Sequence, residues 1–238
     1  MLKKFIIAGI FATGCAHSGP LPETEQATAL SAEKGEARSA GTERAPPSFE
    51  KAEARFQELV RRAETGEAID FHELRLAWLH GPAMKPDPRE ERLPALKKAM
   101  FEAMQKGGDP RVVLAHAREI IDIRYVDLDA QKARRQACEL LEEEPCTAYR
   151  VVSLGLLKSV VEGRDGSSCP TAWRVVSVDE EYFVLRMLDA RFVRQSLVSE
   201  EGGICDVLDV EYEGEEKTFY FEVSEVFEAR RRMLGLEP

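Results

Sequence analysis

The chain has 238 residues, with 33 lysines and arginines against 43 aspartates and glutamates, a net charge of −10 at pH 7 and 44% hydrophobic residues. Such acidity argues against nucleic acid and anionic lipid headgroups as partners, because both bind a basic face. The length and apolar content suffice for one sizeable core or two small ones.

The amino terminus opens with Lys3 and Lys4, continues as an apolar run over residues 5–12, and reaches Ala12-Thr13-Gly14-Cys15. A basic start, a short apolar stretch and small residues before a cut form the pattern of a secretory signal peptide. The run is too short to span a bilayer, which takes about 20 residues. A cysteine directly after Gly14 resembles the lipobox of bacterial lipoproteins, in which the peptide, here residues 1–14, is removed and Cys15 is acylated, palmitate included. Several acyl chains on one cysteine anchor a protein stably, whereas one chain binds only marginally. The alternative is ordinary secretory cleavage near Gly14 or Ala16, with Cys15 incidental. Ala16 stands where aspartate favours inner-membrane retention in many Gram-negative lipoproteins, so the expected address is the outer membrane of a Gram-negative cell envelope.

Residues 15–47 hold Cys15 and a stretch rich in Ala, Ser, Thr, Glu, Gly and Pro, with Leu21 and Leu30 its only large apolar side chains. Too little apolar surface is present to offset the entropy of ordering, which predicts a disordered linker. As a coil it would reach roughly 30 Å.

Residues 48–162 read as helical. Ser48 is placed to cap a first helix whose Phe49, Phe56, Leu59, Val60 and Ala63 share one face. Asp70 and Glu73 form a capping box ahead of Leu74, Ala77 and Trp78, and Gly81-Pro82 ends that helix. Pro94 suits the first turn of a helix running to Lys106. Asp109-Pro110 pairs an N-cap with proline at the first helical position and opens a helix to about Ile123. A helix over residues 128–143 aligns Ala130, Ala133, Ala137, Leu140 and Leu141. Small side chains at this spacing allow close helix packing, as in tetratricopeptide hairpins, although no repeat of about 34 residues recurs. The helix over residues 147–161 is apolar on most sides, which predicts burial.

Loop 163–168 breaks this pattern, and residues 163–238 read as a sheet with a terminal helix. Period-two segments cover residues 173–178, 182–188, 191–199, 205–212 and 217–223, with turns at Asp179-Glu180, residues 200–203 and Glu213-Gly214. Short connections predict an antiparallel β meander. Ser224 is placed to cap the last helix, whose Arg230, Arg231 and Arg232 suit the negative end of its dipole. The fold class predicted is α+β, with tetratricopeptide-like helical hairpins packed on a small antiparallel meander.

Four cysteines follow Cys15. In an exported chain an even count permits disulfides. Cys169 precedes one strand and Cys205 opens another, while Cys138 and Cys146 flank a helix–helix turn. Both pairs are candidates, and free buried thiols are the alternative. No spacing matches a zinc ribbon or a C-x-x-C redox motif.

His72-Glu73 begins like the H-E-x-x-H zinc helix, but Leu76 occupies the second histidine position. His80 and His116 have no metal-ligand spacing around them. Asp127 and Asp129 lack the glycine and terminal glutamate of a calcium loop, and helix capping accounts for them. No nucleophile elbow, phosphate-binding loop or dinucleotide fingerprint occurs, so no catalytic residue, metal or cofactor is expected. Asp165, Ser167 and Ser168 in the glycine-containing loop are the candidate binding residues, since such side chains and backbone N–H groups can hold a small ion. A structural turn is the competing reading.

Several short motifs carry a resemblance. Asp70-Phe71, Leu74-Arg75 and Asp127-Leu128-Asp129-Ala130 occur upstream. Leu156-Leu157-Lys158-Ser159-Val160, Asp165-Gly166-Ser167, Thr171-Ala172-Trp173 and Val178-Asp179-Glu180-Glu181-Tyr182 follow in that order. Gln195-Ser196-Leu197-Val198, Gly202-Gly203, Asp206-Val207-Leu208 and Phe219-Tyr220-Phe221-Glu222-Val223 complete the set. Together they resemble bacterial secreted proteins grouped as domain of unknown function 4919, over about residues 50–227. That resemblance implies a helical front on a small sheet and supplies no activity. The function expected is therefore a non-enzymatic envelope lipoprotein, membrane-bound through Cys15, that docks another envelope protein. The alternatives are an envelope hydrolase or a small-ligand or calcium binder using loop 163–168.

Overall fold

The computed structural model describes residues 47–236, apart from 86, 106, 143–145 and 201–202. Cys15 and the stretches expected to form a signal peptide and a linker, up to residue 46, lie outside the described residues. No helix among the described residues is long and apolar enough to cross a membrane.

Six helices come first: α1 (Phe49–Glu64), α2 (Phe71–His80), α3 (Leu93–Gln105), α4 (Pro110–Ile123), α5 (Leu128–Leu141) and α6 (Cys146–Val161). Their starts are local events. Asp70 accepts from the Glu73 N–H at 3.0 Å, Asp109 from the Arg111 N–H at 2.9 Å and Asp127 from the Ala130 N–H at 3.0 Å. Each carboxylate satisfies an orphan donor of the first turn and meets the positive end of the dipole. Ser48 makes no such side-chain bond; its carbonyl accepts from the Ala52 N–H instead. Helix α1 packs on α2, helices α3 to α6 pack each on the next, and α6 also returns against α1 and α2, which closes the group on itself.

After α6 come β1 (Trp173–Arg174), α7 (Val178–Leu188), β2 (Arg191–Glu200), β3 (Gly203–Tyr212), β4 (Glu215–Glu222) and α8 (Ser224–Met233). The sheet order is β1-β4-β3-β2. Strands β2, β3 and β4 form the antiparallel meander, but β1 pairs with β4 in parallel, so the sheet is mixed. Two expectations are corrected here. Residues 182–188 belong to a helix, and the first strand is only two residues long. Helix α7 wins because Asp179, Glu180 and Glu181 fill its first turn, where acids are favoured. Its apolar residues Phe183, Val184 and Leu185 are consecutive and buried, a pattern that period-two reading cannot tell from a strand. Ser224 is the first residue of α8 rather than its cap; its hydroxyl accepts from the Ile204 N–H at 2.8 Å and ties α8 to β3.

One hydrophobic cluster runs from Phe56 in α1 through the helices to Leu208, Phe221 and Ala229. A smaller one, on the other side of the sheet, holds Cys169, Ala172 and Cys205. Strand β2 is a sheet edge, exposed along nearly its whole length and broken by a bulge between Phe192 and Arg194.

A polar group joins helices to sheet. Arg75 in α2 is 0% exposed. Its Nε and Nη2 donate to Glu180 of α7 at 2.9 and 2.6 Å. Nη1 donates to the Ser159 carbonyl and hydroxyl of α6 at 3.1 and 3.3 Å, and Nη2 also to the Arg174 carbonyl of β1 at 2.7 Å. All five guanidinium hydrogens are thereby used. Glu180 in turn accepts from the Val176 N–H at 2.8 Å.

Glu181, beside it, is its opposite: 0% exposed, with neither carboxyl oxygen hydrogen-bonded. Burial, with repulsion from Asp206 and Glu180, pushes its carboxyl up to about 8.

Breaking a buried pair strands a charge and costs roughly 3–5 kcal/mol, whereas replacing both partners by apolar groups can be neutral. Arg75→Met is therefore expected to lower stability by about that amount in denaturant unfolding, and Arg75→Met with Glu180→Leu to recover much of the loss. For Glu181 the folded chain holds the proton more tightly than the unfolded one, so its ionisation opposes folding. Stability should fall as pH rises from about 4.5 to about 8, by on the order of 4 kcal/mol. Glu181→Gln is expected to match the parent near pH 4 and exceed it near pH 9 in melting temperature.

Candidate functional site

The described residues contain an open cleft of about 570 Å³ where the start of α2 faces α6 and β1. Asp70 fixes where α2 begins, and this sets Phe71 and His72 on the wall. The opposite wall is α6, where Gly155 lets the Phe71 ring lie on the helix backbone. A Cβ at that position would stand 2.2 Å from Phe71 Cε2. Apolar Ile69, Val151 and Val160 complete the inner surface.

The rim is cationic, in contrast to the acidic chain as a whole. Lys158 pairs with Glu162 at 2.9 Å. Arg164 donates through Nη1 to the carbonyls of Ala172 and Pro170, at 2.9 and 3.3 Å. Arg174 gives its carbonyl to Arg75, but its exposed guanidinium has no hydrogen bond or ion pair among the described residues. Burial and repulsion from Arg174 both push the Arg164 guanidinium down. Burial, with Arg75 and Arg174 nearby, holds His72 below its usual value and so favours the neutral ring. Its Nδ1 is buried without a partner. Ser159 donates its hydroxyl hydrogen to the Leu156 carbonyl at 2.7 Å, which leaves it unactivated as a nucleophile.

Of the residues singled out in loop 163–168, none lines this cleft. Asp165 Oδ1 accepts from the Ser167 N–H at 3.0 Å, the Ser167 hydroxyl at 2.8 Å and the Thr171 hydroxyl at 2.6 Å, which holds its carboxyl down to about 2. The Ser168 hydroxyl lies 2.9 Å from that of Thr171. Gly166 takes φ +67° with no room for a Cβ against Trp173, and its carbonyl accepts from the Tyr220 N–H of β4. These bonds make the loop a turn pinned to the sheet. Only Arg164, which was not singled out, reaches the cleft from it.

The cysteines meet in two pairs. Cys138–Cys146 bridges the α5–α6 connection with Cα atoms 5.7 Å apart, and Cys169–Cys205 ties a turn before β1 to β3 at 5.8 Å. Cross-linking a loop of the second size restrains the unfolded chain by about 4 kcal/mol.

The acids with a calcium-like spacing meet cations of the chain. Lys97 Nζ lies 2.7 Å from Asp127, 3.1 Å from Asp179 and 3.7 Å from Asp129. Arg186 bonds Asp129 at 2.6 Å and Arg124 bonds Asp179 at 2.7 Å. Glu73 is held by Arg55 at 2.8 and 2.7 Å. His80 Nε2 lies 3.0 Å from the Glu225 carboxylate, and its Nδ1 lies 3.2 Å from Arg232 Nη1, so the ring is held between the two. No group of three or more His, Cys, Asp or Glu among the described residues could hold a metal ion.

The residues that shape the cleft, Gly155, Arg164 and Arg174, escape a reading by motif because their value lies in what they leave open. Gly155→Ala gains helix propensity but collides with Phe71, and overpacking of this kind costs roughly 1–3 kcal/mol. The single variant is expected to melt lower than the parent, and Phe71→Ala in the same chain to relieve the clash, as read by thermal denaturation.

The family model described as Domain of unknown function (DUF4919) matches residues 49–232. No curated protein and no solved structure matches the chain. The match spans all eight helices and all four strands among the described residues apart from the final residue of α8, and the chain belongs to the DUF4919 family.

Proposed function

We propose that the protein is a non-enzymatic binding module of the bacterial cell envelope, tethered to the membrane by acylated Cys15 and docking an envelope protein at the cleft between α2, α6 and β1. The observation that carries this reading is the guanidinium of Arg174, without a partner among the described residues, at the rim of a cleft whose inner wall holds Ile69, Phe71, Val151 and Val160. An exposed cation beside an apolar wall offers one end of a complementary contact, and electrostatic complementarity steers and selects partners. The neighbouring groups support binding over catalysis, since the Ser159 hydroxyl is bonded to its own helix and no hydrogen bond joins it to His72 among the described residues. The basic start, short apolar run and cysteine at the N-terminus support the envelope address.

The test is made in intact cells. A photo-crosslinking residue at position 174 is expected to capture one envelope protein, while the same residue at Thr218, exposed on the sheet, captures none. Metabolic labelling with a palmitate analogue is expected to mark the parent and not Cys15→Ala. Absence of an adduct at position 174 overturns the docking role, and equal labelling of Cys15→Ala overturns the anchor.

A further inference from the structure

Two arginines stand at the cleft with donors unused. Nε and Nη2 of Arg164, and all the side-chain nitrogens of Arg174, have no partner among the described residues. Lys158 is matched by Glu162, and Asp70 is engaged in capping α2. The lining sets Arg164 and Arg174 against Asp70, and Glu222 attracts Arg164 from just outside it, so the cleft carries too little positive charge for a phosphate dianion and suits a monoanion better. A guanidinium fork meets a carboxylate through two parallel N–H···O bonds. Behind the two forks the wall is Ile69, Phe71, Val151 and Val160, which suits hydrocarbon.

We propose that the cleft binds a carboxylate carried on an apolar body, with Arg174 as its main partner and Arg164 as the second. A free organic acid and the C-terminal end of a polypeptide share that chemistry. The inference stands on the geometry of the cleft itself: a chain terminus would make the carboxylate part of the docked protein, and a free acid would place a small ligand in the same cleft.

Titration calorimetry of the folded chain uses four probes: 3-phenylpropionate, an N-acetylated tripeptide ending in leucine, the same peptide amidated, and inorganic phosphate. Both acids are expected to bind, with the amide and phosphate roughly tenfold weaker or more. Arg174→Gln is expected to weaken both acids by roughly tenfold or more and Lys217→Gln, away from the cleft, to leave them unchanged. Arg174 carries no internal bond through its side chain, so its replacement leaves the fold intact. Nuclear magnetic resonance supplies a second readout: a bound carboxylate beside the His72 ring raises the pH at which that ring titrates. A peptide that binds much tighter than 3-phenylpropionate identifies a chain terminus as the source, and equal or reversed affinities identify a free acid. Equal binding of acid and amide, tighter binding of phosphate, unchanged affinity in Arg174→Gln, or no binding of either acid overturns the inference. Cross-linking at position 174 without any acid binding removes the carboxylate alone and leaves the docking role standing.

Discussion

A guanidinium can be taken out of water only where every N–H finds an acceptor, and this chain is arranged around one such group. Arg75 reaches from α2 to the Ser159 carbonyl on α6, the Arg174 carbonyl on β1 and the Glu180 carboxylate on α7. Its partners lie 84, 99 and 105 residues away in the chain, so the bonds set the placement of these elements against α2 in a way that apolar packing, which is non-directional, does not. The α6 and β1 contacts also hold two walls of the cleft. The shape of the cleft thus depends on a residue that does not touch solvent. A buried pair of this kind gives little net stability over an apolar substitute, and its value here is register.

Electrostatics elsewhere follows one habit: acids begin helices, and cations from neighbouring helices answer them. Lys97 and Arg124 meet Asp179, Lys97 meets Asp127, and Arg186 meets Asp129. Arg174 shares its lack of a side-chain partner among the described residues with Arg61, Arg111, Arg118 and Arg230, and of these it alone lines the cleft. Glu181 is a further departure, a carboxyl with no cation beside it, neutral through much of the physiological range because burial outweighs solvation.

What could be read from the order of residues was what local chemistry decides. Asp70, Asp109 and Asp127 announce their helices because a cap needs only residues within one turn. Helix α7 was hidden because its buried face includes charged Glu180, whose partner Arg75 lies 105 residues away. The parallel pairing of β1 was hidden for the same reason, since β4 lies beyond α7, β2 and β3. At the candidate site, loop 163–168 attracted notice for its polar side chains, and these turn out to satisfy one another. Arg174 sat unremarked in a period-two segment, for a missing partner becomes visible only once the surroundings are in place.

The exposed rim of the sheet has its own consequence. A ten-residue strand with an open side is a template on which identical chains can zip together. Here the irregularity between Phe192 and Arg194 interrupts the straight run of backbone donors, and Arg191 and Arg194 are drawn sideways onto Glu211 and Asp209. That interruption, and the two arginines turned inward onto β3, blunt the open side as a pairing template.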